Sequence, residues 1–177
     1  MGPGRAAERL AGLEDALADA VAVEGPDGEA VAAASEALVQ AYNREALAGV
    51  SGGRLEASLE CLRKAEVLTS EAGGLTARPA ERLRLRAVTL NNLAIYYQRK
   101  GRPRAAVRSL EEAVVLESEL DVAACPAGTH LNLCAVLSSL REHRSALQHA
   151  QVRRGPPGRR RPLRSALRDR PPSATAG

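Results

Sequence analysis

Several residues that can bind transition metals lie close together toward the carboxyl-terminal end of the chain: Cys125, His130, Cys134, His143 and His149. Zinc sites usually take cysteine ligands as close pairs, two to four residues apart, and no such pair is present in this stretch. The spacing therefore favours structural thiols and histidines packed between helices. The sequence predicts no metal and no cofactor.

Catalytic motifs are also missing. The sequence contains no Gly-rich phosphate loop, no nucleophile elbow and no paired metal-binding histidine motif. The acidic residues within 111–121 are expected to form a solvated outer face. We therefore expect a protein that is not an enzyme.

Two similar stretches each place an asparagine directly before a leucine: TLNNLAIYYQRKG at 89–101 and THLNLCAVLSSLR at 129–141. A carboxamide offers both a donor and an acceptor, so it can pair with an extended peptide backbone whatever the peptide's side chains. It can equally hydrogen-bond a neighbouring helix. Both interpretations of Asn92 and Asn132 are open from the sequence.

The composition of the 177 residues predicts an all-α fold. The apolar fraction is 45% and comes mainly from Ala, Leu and Val, with no Phe, no Trp and three Tyr. Sheets normally draw on aromatic and β-branched residues, whereas these residues favour helices that pack closely through small side chains.

Charge and cysteine use indicate a cytoplasmic protein with a separate basic segment. Residues 152–177 contain eight Arg and one Asp, whereas the first 151 residues carry 17 basic and 20 acidic groups. Three widely spaced cysteines are typical of free thiols in a reducing compartment. The sequence has no signal peptide and no apolar run of the roughly 18 residues that a membrane helix needs, so no membrane insertion is expected.

Apolar periodicity and turn residues predict seven helices. Pro79 and Pro103 are expected in the first turn of their helices, and Gly101 as a left-handed cap. Glu60 and Lys64 are expected to pair along one helix face. The predicted helices cover about 5–23, 29–48, 54–70, 79–100, 103–120, 128–140 and 143–151.

The predicted helices form pairs whose sequences are repeated along the chain. GRLEASLECLRKA at 53–65 aligns without a gap over GRPRAAVRSLEEA at 101–113, and REHRSALQHA at 141–150 aligns more weakly. The offsets between copies are 48 and 40 residues. Self-similar helix pairs at such periods indicate a helical solenoid.

The middle copy resembles the tetratricopeptide repeat. The resemblance rests on Leu90, Leu93-Ala94, Tyr97, Ala106 and Leu110, and in the third copy on His130, Leu133-Cys134, Leu137, Ala146 and Ala150. TLNNLAIYYQRKG followed by AAVRSLEEAVVLE is most similar to the repeats of kinesin light chains. The resemblance implies a right-handed helical-hairpin solenoid of about two and a half to three repeats.

The same resemblance implies an adaptor that binds a peptide segment of a partner protein in a concave groove. The asparagines before the leucines would contact the peptide backbone, and arginines on the same face would suit an acidic partner. The groove residues are then Arg84, Asn91, Asn92, Ile95, Arg99 and Asn132.

Three regions are expected along the chain. An amphipathic helix and turn at 1–28 precede repeats at about 29–75, 79–121 and 128–151, and an Arg/Pro-rich disordered tail follows at 152–177. The third repeat lacks a covering helix, so its end is expected to fray, or to pair with another copy of the chain or with a longer partner.

The tail has two interpretations. It is a basic arm, or it reflects a truncated or misread gene end. As an arm it supports an alternative function, the binding of nucleic acid or an anionic surface, which added salt would weaken steeply.

Overall fold

All regular secondary structure in the described part of the chain is helical. The computed structural model describes residues 3–73, 75, 77–120 and 126–152. The all-α prediction is confirmed, and helix boundaries fall within a few residues of those expected. The helices are α1 (Pro3–Glu24), α2 (Glu29–Ser51), α3 (Leu55–Leu68), α4 (Pro79–Arg99), α5 (Pro103–Glu119), α6 (Pro126–Ser139) and α7 (His143–Val152).

One turn geometry joins α2 to α3, α4 to α5 and α6 to α7. In each turn a single residue adopts positive φ: Gly53 at 78°, Gly101 at 68° and Arg141 at 62°. The next residue donates its backbone N–H to a carbonyl five positions back, at 2.8, 2.8 and 2.9 Å respectively. These bonds satisfy carbonyls that the helix end leaves free, as in a Schellman cap. The predicted cap at Gly101 is confirmed.

The helices pack mostly as sequential hairpins. Each hairpin pairs two consecutive helices, α2 with α3, α4 with α5 and α6 with α7, while α1 packs on α2. The first helices of the hairpins contact one another in order, α2 with α4 and α4 with α6. Each second helix also contacts the next first helix. This order brings parts of α2, α4 and α6 side by side.

Equivalent positions of the second helices fill the core. Leu62 and Leu110, which are 48 residues apart, are both fully buried. Small residues at Ser58, Ala106 and Ala146 are buried at matching positions. At α2, a Cβ on Gly49 would lie 2.3 Å from the Ser58 Oγ, so a larger residue there would force the serine side chain to move. Small residues therefore allow close helix packing without aromatic side chains.

One local pairing prediction was wrong. Lys64 does not pair with Glu60 along α3; its Nζ lies 2.7 Å from a carboxylate oxygen of Glu14 on α1. The predicted tail, residues 152–177, lies outside the described residues except for Val152, which ends α7. Within the described ranges, no helix is both long and apolar enough to cross a membrane.

Candidate functional site

A buried polar cluster joins α2 to α4. The Asn92 Nδ2 donates to the Asn43 Oδ1 at 2.7 Å. The Asn43 Nδ2 donates in turn to the Thr89 Oγ1 at 2.9 Å and to the Val39 carbonyl at 3.0 Å. All three polar side chains are buried, and Asn92 is only 6% exposed. Such groups must be hydrogen-bonded, because an unpaired buried amide costs about 1–3 kcal/mol.

A second cluster joins α4 to α6 in the same way. The Asn132 Nδ2 donates to the Asn91 Oδ1 at 3.2 Å. The Asn91 Nδ2 donates to the Thr129 Oγ1 at 2.8 Å and to the Ala87 carbonyl at 3.0 Å. Thr129 donates its hydroxyl to Glu117 at 2.6 Å. Each cluster thus consists of one asparagine, Asn43 or Asn91, and a threonine–asparagine pair on the first helix of the following hairpin. We call Asn43 and Asn91 forward-facing, because each bonds to the hairpin that follows it in the chain.

The two clusters occupy equivalent positions in successive hairpins. The forward-facing asparagines are 48 residues apart, and the threonine–asparagine pairs are 40 residues apart, which are the offsets of the sequence repeat. The chain therefore uses one polar interface twice. We call it the asparagine seam: Asn43, Thr89 and Asn92 between α2 and α4, and Asn91, Thr129 and Asn132 between α4 and α6.

The three asparagines expected in a peptide groove all belong to this seam. Asn91, Asn92 and Asn132 donate their amide nitrogens to side chains of neighbouring helices, as the interhelix interpretation expects. Among the described residues, nothing donates to the side-chain oxygens of Asn92 and Asn132. Contact with a peptide backbone stays a prediction, and it would use these two oxygens.

The remaining predicted groove residues follow the seam along α4. Arg84, Val88, Asn91, Ile95 and Arg99 recur every three to four residues, so they share one helix face. Both arginines are exposed and Ile95 is half-buried. Arg84 donates to the Glu81 carboxylate, and this hydrogen bond raises the pKa of the guanidinium. No carboxylate in the described part of the chain lies within ion-pair distance of Arg99.

Three large apolar side chains are exposed beside the seam, one on each first helix. Leu47 on α2 is 37% exposed, Val88 on α4 is 40% exposed and Leu131 on α6 is 50% exposed. Leu47 lies one turn after Asn43, Val88 lies one turn before Asn91, and Leu131 occupies the position equivalent to Asn91. By the repeat offsets, Val88, Leu131 and Leu47 correspond to positions 40, 43 and 47 of α2, so they are separate exposed apolar side chains at different levels of the three helices.

Sequence reasoning missed Asn43, Thr89 and Thr129. The signal that identifies the threonines is a Thr-x-x-Asn spacing, which occurs at 89–92 and again at 129–132. Asn43 is exactly one repeat before Asn91, but it stands in AYNRE, where no leucine follows it. The pattern of asparagine before leucine therefore does not include it.

Two histidines, His130 on α6 and His149 on α7, lie against each other as a pair. The Nδ1 atoms of His130 and His149 lie 2.9 Å apart, and the rings are stacked at 5.1 Å. Burial, and then the neighbouring His149, lower the pKa of His130. In the described ranges, no group of three or more His, Cys, Asp or Glu side chains could hold a metal ion. Cys125 lies outside those ranges.

Two cavities, of about 310 and 390 Å³, lie between α1 and α3. Both are lined by Glu14, Tyr42 and Lys64. The hydrogen bond from Lys64, and then that from Tyr42, lower the pKa of Glu14. Burial and the bond to Glu14 raise the pKa of Tyr42. This group holds α1 against the first hairpin.

Comparison with known proteins does not add a functional assignment. No protein-family model, curated protein or solved structure gives a significant match to the chain.

Proposed function

We propose that the chain is a non-enzymatic adaptor whose hairpins stack as a short tetratricopeptide-like solenoid. Three repeated features support the stack. The same turn closes each hairpin, the same core positions are filled, and the asparagine seam joins each first helix to the next. In a solenoid each unit contacts only its neighbours, and the helix contacts follow that order.

The face formed by α2, α4 and α6 binds a peptide segment of a partner protein. The observation that carries this proposal is that each of these helices exposes one large apolar side chain, Leu47, Val88 and Leu131 respectively. Covering apolar surface gains roughly 25 cal/mol per Å², so a peptide with spaced apolar side chains would be stabilised there.

The seam would orient polar contacts to the same peptide. With their nitrogens bonded to neighbouring helices, Asn92 and Asn132 keep their side-chain oxygens as acceptors. A peptide N–H can donate to such an oxygen, and the amide has already lost its rotational freedom. Preorganisation of this kind improves affinity without adding contacts.

Arginines on the same face indicate which peptides would bind best. Arg84 and Arg99 lie at opposite ends of the α4 face, roughly 22 Å apart at 1.5 Å per residue. Guanidinium groups bind carboxylates through paired hydrogen bonds. Because Arg84 already pairs with Glu81, Arg99 is the arginine of this face that would receive an acidic residue of the ligand, beside its apolar residues.

The test selects peptides from a random display library on the full chain and measures their affinities by fluorescence anisotropy. A Val88→Asp/Leu131→Asp variant places two carboxylates on the proposed face. Its matched control, Val67→Asp/Val115→Asp, makes the same change at exposed positions of α3 and α5. Circular dichroism verifies that each variant is folded.

We expect the selected peptides to bind the Val88/Leu131 variant at least about tenfold more weakly, and the control as tightly as the wild type. Equal affinities for both variants would contradict the proposal, because binding would then occur elsewhere. Failure to select any peptide would contradict it as well.

A further inference from the structure

A separate groove lies where the turn after α4 meets the α6–α7 turn. It encloses about 540 Å³ and is lined by Tyr97, Arg102, Pro103, Arg104, Ala105, Arg108 and Leu140. Its lining contains three arginines and no acidic residue. The face of α2, α4 and α6 contributes none of these arginines, so the groove is distinct from the proposed peptide face.

These arginines are among the basic side chains that form no ion pair in the described part of the chain. Six basic side chains form ion pairs, for example Lys64 with Glu14 and Lys100 with Glu56. Within the described residues, Arg102, Arg104 and Arg108 have no carboxylate at ion-pair distance. All three side chains are exposed. Their donors are therefore available to an external anion.

The closeness of these arginines to one another also lowers the stability of helix α5. Arg104 and Arg108 are four residues apart on α5, and like charges at this spacing destabilise a helix. The segment 99–108 carries five basic residues and no acidic one. An anionic ligand would relieve this repulsion.

We propose that this groove binds an acidic segment of a protein, in which glutamates or aspartates alternate with apolar residues. Guanidinium groups recognise carboxylates through paired hydrogen bonds, and Tyr97, Pro103 and Leu140 supply apolar surface between them. Positive charge alone would also attract RNA. Single-stranded RNA binding relies on aromatic rings that stack on bases, and the Tyr97 ring already forms a T-shaped contact with the Tyr96 ring, with centroids 5.5 Å apart. The groove therefore suits a peptide better.

The experiment titrates the full chain with a short fluorescein-labelled peptide of alternating glutamate and leucine. Anisotropy measures the affinity, and two-dimensional NMR identifies the amides that shift. The test variant is Arg104→Ala/Arg108→Ala. Its control, Arg5→Ala/Arg44→Ala, removes the same charge from exposed arginines of α1 and α2. The Arg-rich residues 153–177 are identical in all three proteins, so their attraction for the peptide is the same.

We expect the amides of Arg104, Arg108 and Leu140 to shift, and the test variant to bind the peptide at least about tenfold more weakly than the control. A matched peptide with glutamine in place of glutamate should leave those amides unmoved. If the two variants bind equally, or the shifts lie elsewhere, the attraction is general and the site is overturned. Tighter binding of an oligouridine of equal charge, with shifts at the same amides, would replace the peptide with RNA.

Discussion

The side-chain nitrogen of Asn92 donates to the side-chain oxygen of Asn43 across the interface between α2 and α4, at 2.7 Å. Both side chains are buried. A buried amide pair of this kind is satisfied in only one alignment of the two helices. A slip of one residue would leave two unpaired polar groups in the core. We infer that the seam sets the register in which one hairpin docks on the next.

The first prediction concerns the energy of this pair. Asn92→Ala should lower the free energy of unfolding by about 1–3 kcal/mol, because it leaves a buried acceptor on Asn43 unpaired. Asn43→Ala should cost a similar amount. The double variant should cost less than the sum, with a coupling energy of about 1 kcal/mol from urea denaturation. Exposed Gln40→Ala is the control, and additive effects would show that the pair contributes no shared energy.

The second prediction concerns the turn between α6 and α7. Arg141 adopts the positive φ that glycine adopts in the two earlier turns. This conformation costs a residue with a Cβ about 1–2 kcal/mol. Arg141→Gly should therefore stabilise the protein by about 0.5–1 kcal/mol, after allowance for the greater freedom of glycine in the unfolded chain.

Two variants check that explanation of the turn. Gln148→Gly, at an exposed position in the middle of α7, should destabilise by about 0.5–1 kcal/mol, since glycine weakens a helix interior. Gly101→Ala should also destabilise, because it places a Cβ at positive φ. A destabilised Arg141→Gly variant would mean that the arginine side chain makes a stronger contribution than the backbone strain.

The third prediction concerns the repeated core position at the centre of the second helices. Leu110 is fully buried, so Leu110→Ala should cost about 2–5 kcal/mol through lost contacts and the cavity it leaves. Val115→Ala, on the exposed side of the same helix, should change stability by no more than about 0.5 kcal/mol. Equal urea midpoints for the two variants would contradict the placement of Leu110 in the core.

The fourth prediction concerns pH. Burial lowers the pKa of His130 in the folded protein, so the unfolded chain binds the proton more readily. Stability should then be greatest above the ordinary histidine pKa of about 6.5 and should fall as pH drops through that value toward the lowered one. The measurement is the urea midpoint at several pH values between about 7.5 and about 5.5, where this loss of stability should begin.

His130→Phe separates this effect from the titration of other groups, because it keeps a ring against His149 but cannot bind a proton. The variant should lose less stability than the wild type over the same pH range. An identical loss would assign the pH dependence to other residues.

Much of the fold was predictable from local signals. Apolar spacing, Pro79 and Pro103 at helix starts and Gly101 at a helix end determine each helix from residues within a few turns of it. Contacts across the chain were less accessible. Lys64 has Glu60 one turn away, yet it pairs with Glu14, which is 50 residues distant. Sequence spacing along one helix cannot reveal a carboxylate that tertiary packing brings closer.

The candidate site was likewise predictable only in part. Asn92 and Asn132 were singled out because their surroundings repeat, but their partners were not visible from the repeat alone. The pairing of Asn92 with Asn43 joins positions 49 residues apart, one more than the repeat offset. This difference of one residue arises from the way the two helices pack against each other, which the repeat offset does not specify.

The seam also makes the hairpins non-interchangeable. Helix α2 carries the forward-facing Asn43 but has Ala41 and Arg44 where the later helices carry threonine and asparagine, and α6 carries Thr129 and Asn132 but has Leu131 where α4 has Asn91. Only α4 holds both halves. The α4–α5 hairpin is therefore the natural unit for lengthening the array by gene duplication or design, since each inserted copy would find a matching neighbour on both sides. A duplicated α6–α7 hairpin would instead set a leucine against an asparagine that needs an acceptor.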